Sequence, residues 1–367
     1  METYIWQRPQ WPNLTWDDAR TAAPLAAVNT LRGVLLGRLS LMGIGEQDEH
    51  MLDSLTREVI HSSEIEGEEL NRDSVRSSLA RHLGIDIEGM PRTDHYTDGV
   101  VQVTLDATQN FHLPLTPDRL FRWHRALFPY GQSGIERIAV GEWRTGDEPM
   151  QVVSGPFGRQ RVHFEAPPSD SVPRMMSDFL SWVENPHPTP DPIALAAVAH
   201  LWFVSIHPFD DGNGRICRAI TELLLSRADA SPLRAYSLSS AILSNRKEYY
   251  DCLESAQWGG TDVTDWVLWF VEALRQALCL SLEKTERVVR KKYFWDAHSS
   301  TTLNDRQRKV INMLLDGFDG KLTSSKWYKI CHCSQDTASR DINDLISKNI
   351  LRKTPEGGRS AGYELVY

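Results

Sequence analysis

Apolar positions along this chain recur mostly at intervals of three and four, a pattern that predicts helices over most of its length. The clearest run, residues 193–206 (IALAAVAHLWFVSI), is apolar nearly all round and therefore predicts a helix buried on every side. Pro208 stops that helix, and after a tight turn a second one, 215–226, lines up Ile216, Ile220, Leu223 and Leu224 on one face. Upstream, 19–42 and 48–62 read as helices joined at 43–45, and Asn71 is placed to cap a third over 72–83. Downstream, 237–253 and 262–282 predict two more, the second with Trp266, Trp269, Phe270 and Leu274 at helical spacing, most simply a core face.

Two stretches break the helical period. Residues 150–154 (MQVVS) and 161–165 (RVHFE) are short β-prone runs joined by a loop with Gly and Pro, which predicts a hairpin from Met150 to Glu165. In the tail, helices over 305–315, 324–330 and 335–348 precede a segment that alternates across Pro355, Glu356, Gly357 and Gly358 like a second hairpin. Three helices and a hairpin spell a winged helix-turn-helix. The expected fold class is thus mainly α, with a β-hairpin on the main bundle and a C-terminal winged helix. The expected division is an N-terminal helical region 1–110, a core 111–290, a linker 291–302 and the winged helix 303–367; no internal repeat interrupts it.

Composition sharpens the division. The net charge of the 367 residues is −9, yet from Lys284 onward there are 16 Lys plus Arg against 10 Asp plus Glu, leaving 24 against 39 before it. The tail is a separate, basic unit. Five cysteines, an odd number at irregular spacing, suit a reducing compartment, and Cys331-His332-Cys333 lacks a second ligand pair at zinc-finger spacing. No apolar run has the length of a membrane span and the first residues lack a signal-peptide layout, so a cytoplasmic protein with no membrane partner is expected.

The candidate chemistry lies in His207 to Arg218, HPFDDGNGRICR. Gly212, Asn213 and Gly214 tolerate positive φ, so successive N–H groups can converge into an anion-binding nest at the start of a helix, a site suited to phosphate. Arg215 and Arg218, three apart, project on one side of the first helical turn and add two fixed cations. Asp211 is a hard oxygen ligand able to hold Mg2+ against phosphate oxygens. His207 precedes the loop, where a neutral imidazole can take a proton from an attacking hydroxyl.

This string fits HPFx[D/E]GNGRxxR, the motif of Fic domains, at every specified position, and the chain resembles that family. The resemblance implies a Fic-type helical bundle and transfer of AMP from ATP to a Ser, Thr or Tyr hydroxyl of a protein, itself included. It makes His207 the general base, Asp211 the Mg2+ ligand, and Gly212, Asn213, Gly214, Arg215 and Arg218 the cradle of the nucleotide phosphates. The hairpin would be the flap on which the target docks by edge pairing, and Asn245, Tyr249 and Tyr250 resemble the lining of a nucleoside pocket. The tryptophan- and proline-rich start, YIWQRPQWPNLTW, resembles an extension found on some bacterial Fic proteins.

Ser62 to Gly67 (SSEIEG) fits [S/T]xxxE[G/N], which in Fic proteins marks an inhibitory helix. By that resemblance Glu66 pairs with Arg218 and competes with ATP. Three expectations stay open beside it. The winged helix is placed to bind DNA through Gln335, Thr337, Ser339 and Arg340 with Arg352, Lys353 and Arg359 on the wing, although Asp336, Asp341 and Asp344 set negative charge along its third helix. The chain is then a DNA-binding regulator that controls itself by self-modification. The same site could instead remove AMP, with Glu66 orienting water; and a homodimer is a candidate assembly.

Overall fold

A computed structural model describes residues 3–86, 93–155, 159–186, 190–354 and 362–366. They fall into two compact units, Met1–Gly37 with Gly43–Ser281, and Arg38–Met42 with Leu282–Tyr367. No helix among the described residues is long and apolar enough to cross a membrane.

The larger unit is helical, built from α1 (Asp18–Ser40), α2 (Ile44–Ile65), α3 (Arg72–Leu83), α4 (His95–Gln109) and α5 (Pro117–Leu127). Two short hairpins follow, β1 (Gln132–Ser133) with β2 (Glu136–Arg137), and β3 (Gln151–Ser154) with β4 (Arg161–Glu165). Then come α6 (Val172–Glu184), α7 (Pro192–Ile206), α8 (Asn213–Asp229), α9 (Leu238–Ser244), α10 (Arg246–Trp258) and α11 (Thr264–Ala297). Asn71 caps α3 as its sequence position requires, its side chain accepting from Ser74 N. The apolar run of α7 is explained by its place: all but Pro192 and Leu195 of its residues are buried. α8 and α6 pack on it, and the indole of Trp266 on α11 donates to Ala197 O at 2.7 Å.

Three expected boundaries move. α2 runs on to Ile65, so Ser62 lies inside the helix and Glu66 at its C-cap. The single helix expected over 237–253 is two, because the main chain at Asn245 closes α9 and starts α10. The expected linker 291–302 is helical through Ala297, and the boundary between units falls at Leu282, within α11; residues 1–110 are not a unit apart from the core.

The smaller unit adds α12 (Asp305–Leu315), α13 (Ser324–Cys331), α14 (Gln335–Ser347) and the antiparallel pair β5 (Leu351–Lys353) and β6 (Tyr363–Leu365), with a further bridge from Leu322 to Tyr363. This is the element order of a winged helix, closed around Trp327, Val310, Ile342 and Leu345. Asp341 does not face outward: it accepts from Arg306 Nε at 2.8 Å and Asn304 Nδ2 at 2.9 Å. Asp344 likewise accepts from Gln307 Nε2 at 2.8 Å and Lys348 Nζ at 2.6 Å. Of the three acids expected along the third helix, only Asp336 stands exposed and outside this network. On the wing, Arg352 is paired with Glu364 at 2.7 Å. The wing turn 355–358, Arg359 and the flap tip 156–158 lie outside the described residues.

Candidate active site

The site forms where α7 ends and α8 begins. His207 caps α7 in the left-handed region (φ 52°, ψ 60°), its N–H reaching Phe203 O at 3.1 Å. Its Nδ1 faces Val204 O at 3.3 Å, so in the neutral tautomer Nδ1 carries the proton and Nε2 is left as the acceptor. Burial, opposed by that carbonyl and reinforced by the nearby Arg144 charge, holds this imidazole down at about 4, so it is neutral at pH 7.

The loop after it is braced from several sides. Asn213 Oδ1 accepts from Phe209 N at 2.9 Å and its Nδ2 donates to Phe209 O at 2.8 Å. The expected phosphate ligand Asn213 therefore spends its side chain on the loop. Gly212 sits at φ +76°, against the ring of Phe128, where a side chain would be both strained and obstructed. Asp211 Oδ1 accepts from Gly212 N at 2.6 Å, and its other oxygen accepts from the Ser133 hydroxyl. The first-turn N–H groups of α8 lack partners within the helix, so their positive ends face the loop.

Two bracing residues had no assigned role in the sequence. His124 on α5 stacks on Phe209 (centroids 4.3 Å, 10°), accepts from Gly141 N at 3.1 Å and donates to Asp211 O at 3.1 Å. Burial holds it at about 4, which fixes this neutral donor-acceptor form. Arg144, 4% exposed, donates to His207 O at 2.7 Å and also to Pro167 O, while its own N–H donates to Pro208 O at 2.9 Å. It pins the backbone that aims His207. Neither contact has a short-range sequence signal, since both cross tens of residues.

The arginines are the other half of the site. Arg218, 3% exposed, donates from Nε to Ser62 Oγ at 2.9 Å and from Nη2 to Ser62 O at 2.7 Å, and its Nη1 lies 2.8 Å from Glu66 Oε1. The carboxylate of Glu66 lies against Gly214, so close that a Cβ there would collide with it. Gly67 turns the chain away at φ +84°. Arg215 donates from Nη1 to Glu68 Oε2 at 2.8 Å and to the Tyr96 hydroxyl at 2.7 Å.

Of the residues expected around a nucleoside, the two tyrosines separate. Tyr249 is buried, its hydroxyl 3.0 Å from His200 Nε2 and its ring against Trp266 and Trp269, so it belongs to the core. Tyr250 is 38% exposed, stacks under Arg246 and bonds Ile65 O at 3.4 Å, just beside Glu66. Asn245 Nδ2 donates to Ala241 O and Gln276 Oε1, both at 2.9 Å, and thereby braces the α9–α10 break.

Residues 114–225 match the profile of the Fic/DOC family, and residues 4–85 match a domain of unknown function, DUF4172. Among curated proteins, the protein adenylyltransferase Fic of Aedes aegypti is 26% identical over 239 residues, 64% of this chain and 43% of that protein. The protein of the same name from Drosophila melanogaster is 27% identical over 229 residues, 62% of this chain and 42% of its own length. The chain thus spans less than half the length of these relatives. Among solved structures, a Fic family protein from Desulfovibrio desulfuricans aligns over 94% of this chain and 96% of its own, with a TM-score of 0.52 and 22% identity. Fic-1 from C. elegans aligns over 75% of this chain and 74% of that one, at TM-score 0.52 and 23% identity. The larger unit has the Fic fold, and residues 114–225 match the Fic/DOC family.

Proposed function

We propose that this chain is a protein adenylyltransferase that uses ATP and is held inactive by Glu66. The observation that carries the reading is the meeting, at one helix N-terminus, of a neutral imidazole, first-turn N–H groups without helical partners and an arginine ion-paired with an acid. In this reading the triphosphate lies along the first turn of α8, and Arg218 takes its terminal charge once Glu66 yields. A target hydroxyl attacks the α-phosphorus, its proton passes to Nε2 of His207, and the bond to the pyrophosphate oxygen breaks. An aligned general base of this kind supplies about 10²- to 10⁴-fold.

The donor set at the loop fits Mg2+. Asp211 offers a single, partly buried carboxylate, and Mg2+ takes one or two protein carboxylates and completes its shell with water and phosphate. Asp211 would hold the ion, which would neutralise part of the phosphate charge.

The β3–β4 hairpin is the docking edge for the target. On β4 the carbonyls of His163 and Glu165 already accept from the indoles of Trp258 and Trp6, both at 2.8 Å. That leaves the outer edge of β3 to pair with an extended segment, and main-chain pairing gives affinity with loose side-chain choice.

Incubating wild type, Glu66→Gly and His207→Ala with each labelled nucleoside triphosphate tests the reading. Label from ATP alone on a protein hydroxyl, strongest in Glu66→Gly and absent in His207→Ala, is the expected result.

The burial of Asp341 against α12 favours a second reading for the smaller unit. With Asp341 and Asp344 paired to α12 and Lys348, the outer face of α14 presents Gln335, Ser339, Arg340 and Asn343 beside a single acid unpaired among the described residues, Asp336, a polar face that supports docking in a DNA groove.

A further inference from the structure

The motif that brings Glu66 to Arg218 leaves the neighbouring phosphate arginine unexplained. Arg215 stands one turn before Arg218 on α8 and is nearly buried, 4% of its side chain exposed. Its Nη1 is held by two groups at once, Glu68 Oε2 and the Tyr96 hydroxyl, and Tyr96 also donates to the same Glu68 oxygen. The three groups close a small ring joining α8, α4 and the segment after α2. Glu66 and Glu68 come from that one segment. Gly67 between them, at φ +84°, turns the chain so that successive acids fall on successive arginines.

We propose that Glu68, braced by Tyr96, is a second acid lock on the phosphate site, so that inhibition rests on two carboxylates holding two arginines. The proposal rests on the adenylyltransferase reading above and adds to it a second regulated residue. A triphosphate brings its own negative charge to the nest and must exchange with both acids. Because residues 66–68 are contiguous, one movement of the segment releases both. Removing Glu66 alone frees Arg218 and leaves Arg215 neutralised by Glu68. The guanidinium of Arg215 has capacity to spare: its buried Nε finds no hydrogen-bond partner among the described residues. Stacking on Phe128, 5.0 Å from the ring centroid, keeps the cation at the site when Glu68 leaves.

The test is calorimetric titration of Mg-ATP into the full chain, in Glu66→Gly and in the same protein with Glu68→Gln, Tyr96→Phe or Glu69→Gln added. A pH of about 8 keeps Glu68 ionised, since burial raises its carboxyl above the usual range. Glu68→Gln keeps the size of the side chain and is expected to tighten ATP by about fivefold or more. Tyr96→Phe should give a smaller gain in the same direction. Exposed Glu69, next in sequence, controls for net charge, and its substitution should leave affinity where it was. Affinity unchanged or weakened by Glu68→Gln, while Glu66→Gly itself binds ATP, overturns the second lock and makes Glu68 a positioning residue for Arg215. Equal tightening by Glu69→Gln also overturns it, by reducing the effect to bulk charge. If none of the proteins binds ATP, the adenylyltransferase reading falls, and the lock with it.

Discussion

Glu66 Oε1 lies 2.8 Å from Arg218 Nη1, while Ser62 holds the other nitrogens of the same guanidinium through its hydroxyl and its carbonyl. The acid is ion-paired at one nitrogen of a cation that Ser62 also anchors. Glu66→Gly should therefore free that nitrogen without releasing the arginine. The carboxylate is about one-third exposed, and the buried guanidinium keeps both bonds to Ser62, so losing the pair should cost about 1 kcal/mol. Thermal melting should shift by no more than about 5 °C, while nucleotide transfer rises about tenfold or more. A large loss of melting temperature without a gain in transfer would make the pair a structural tie.

Gly214 tests the same space from the other side. A Cβ there would collide with the Glu66 carboxylate and come within 3.2 Å of Arg218 Nη1. In Glu66→Gly the acid is gone, and the account puts phosphate in its place. Gly214→Ala added to Glu66→Gly should lower ATP affinity about tenfold, worth about 1.4 kcal/mol, in a calorimetric titration. Unchanged affinity would show that no phosphate uses the space.

The pH dependence has a definite sign. His207 acts only as the neutral imidazole, and burial first of all sets its protonation at about 4, well below its ordinary 6.5. As pH falls through about 4 the base is protonated and kcat/KM of Glu66→Gly declines; above that the acidic limb is flat. A decline centred near 6.5 would mean that His207 is solvated in the active form.

For the smaller unit, fluorescence anisotropy of a labelled duplex at two salt concentrations decides the DNA reading. Phosphate contacts require affinity that falls steeply with salt, and Arg340→Ala should weaken binding. No binding at low salt removes the reading.

How far the sequence could be read follows the range of the interactions. The helix pair α7–α8 and the turn between them are legible because the apolar run, the proline and the glycines all act locally. Asn213 was legible as part of the motif but not in its job: its amide bonds the backbone of Phe209, a contact that only the folded turn shows. His124, Arg144 and Tyr96 were silent, because each reaches the site from 63 or more residues away. Tyr249 and Tyr250 are adjacent in sequence and differ in place, since the roughly 100° between neighbours on a helix sends one into the aromatic core and the other to the rim. The acids of α14 show the same limit: net charge along a helix does not say that Asp341 is buried against Arg306 and Asn304.

The most direct measurement is a crystal structure of Glu66→Gly soaked with a nonhydrolysable ATP analogue and Mg2+. The account predicts phosphate density along residues 212–215, a bond from Arg218 to the terminal phosphate, and the α-phosphorus facing Nε2 of His207. An analogue bound elsewhere, or a nest still filled by side chains at saturating ligand, would contradict it.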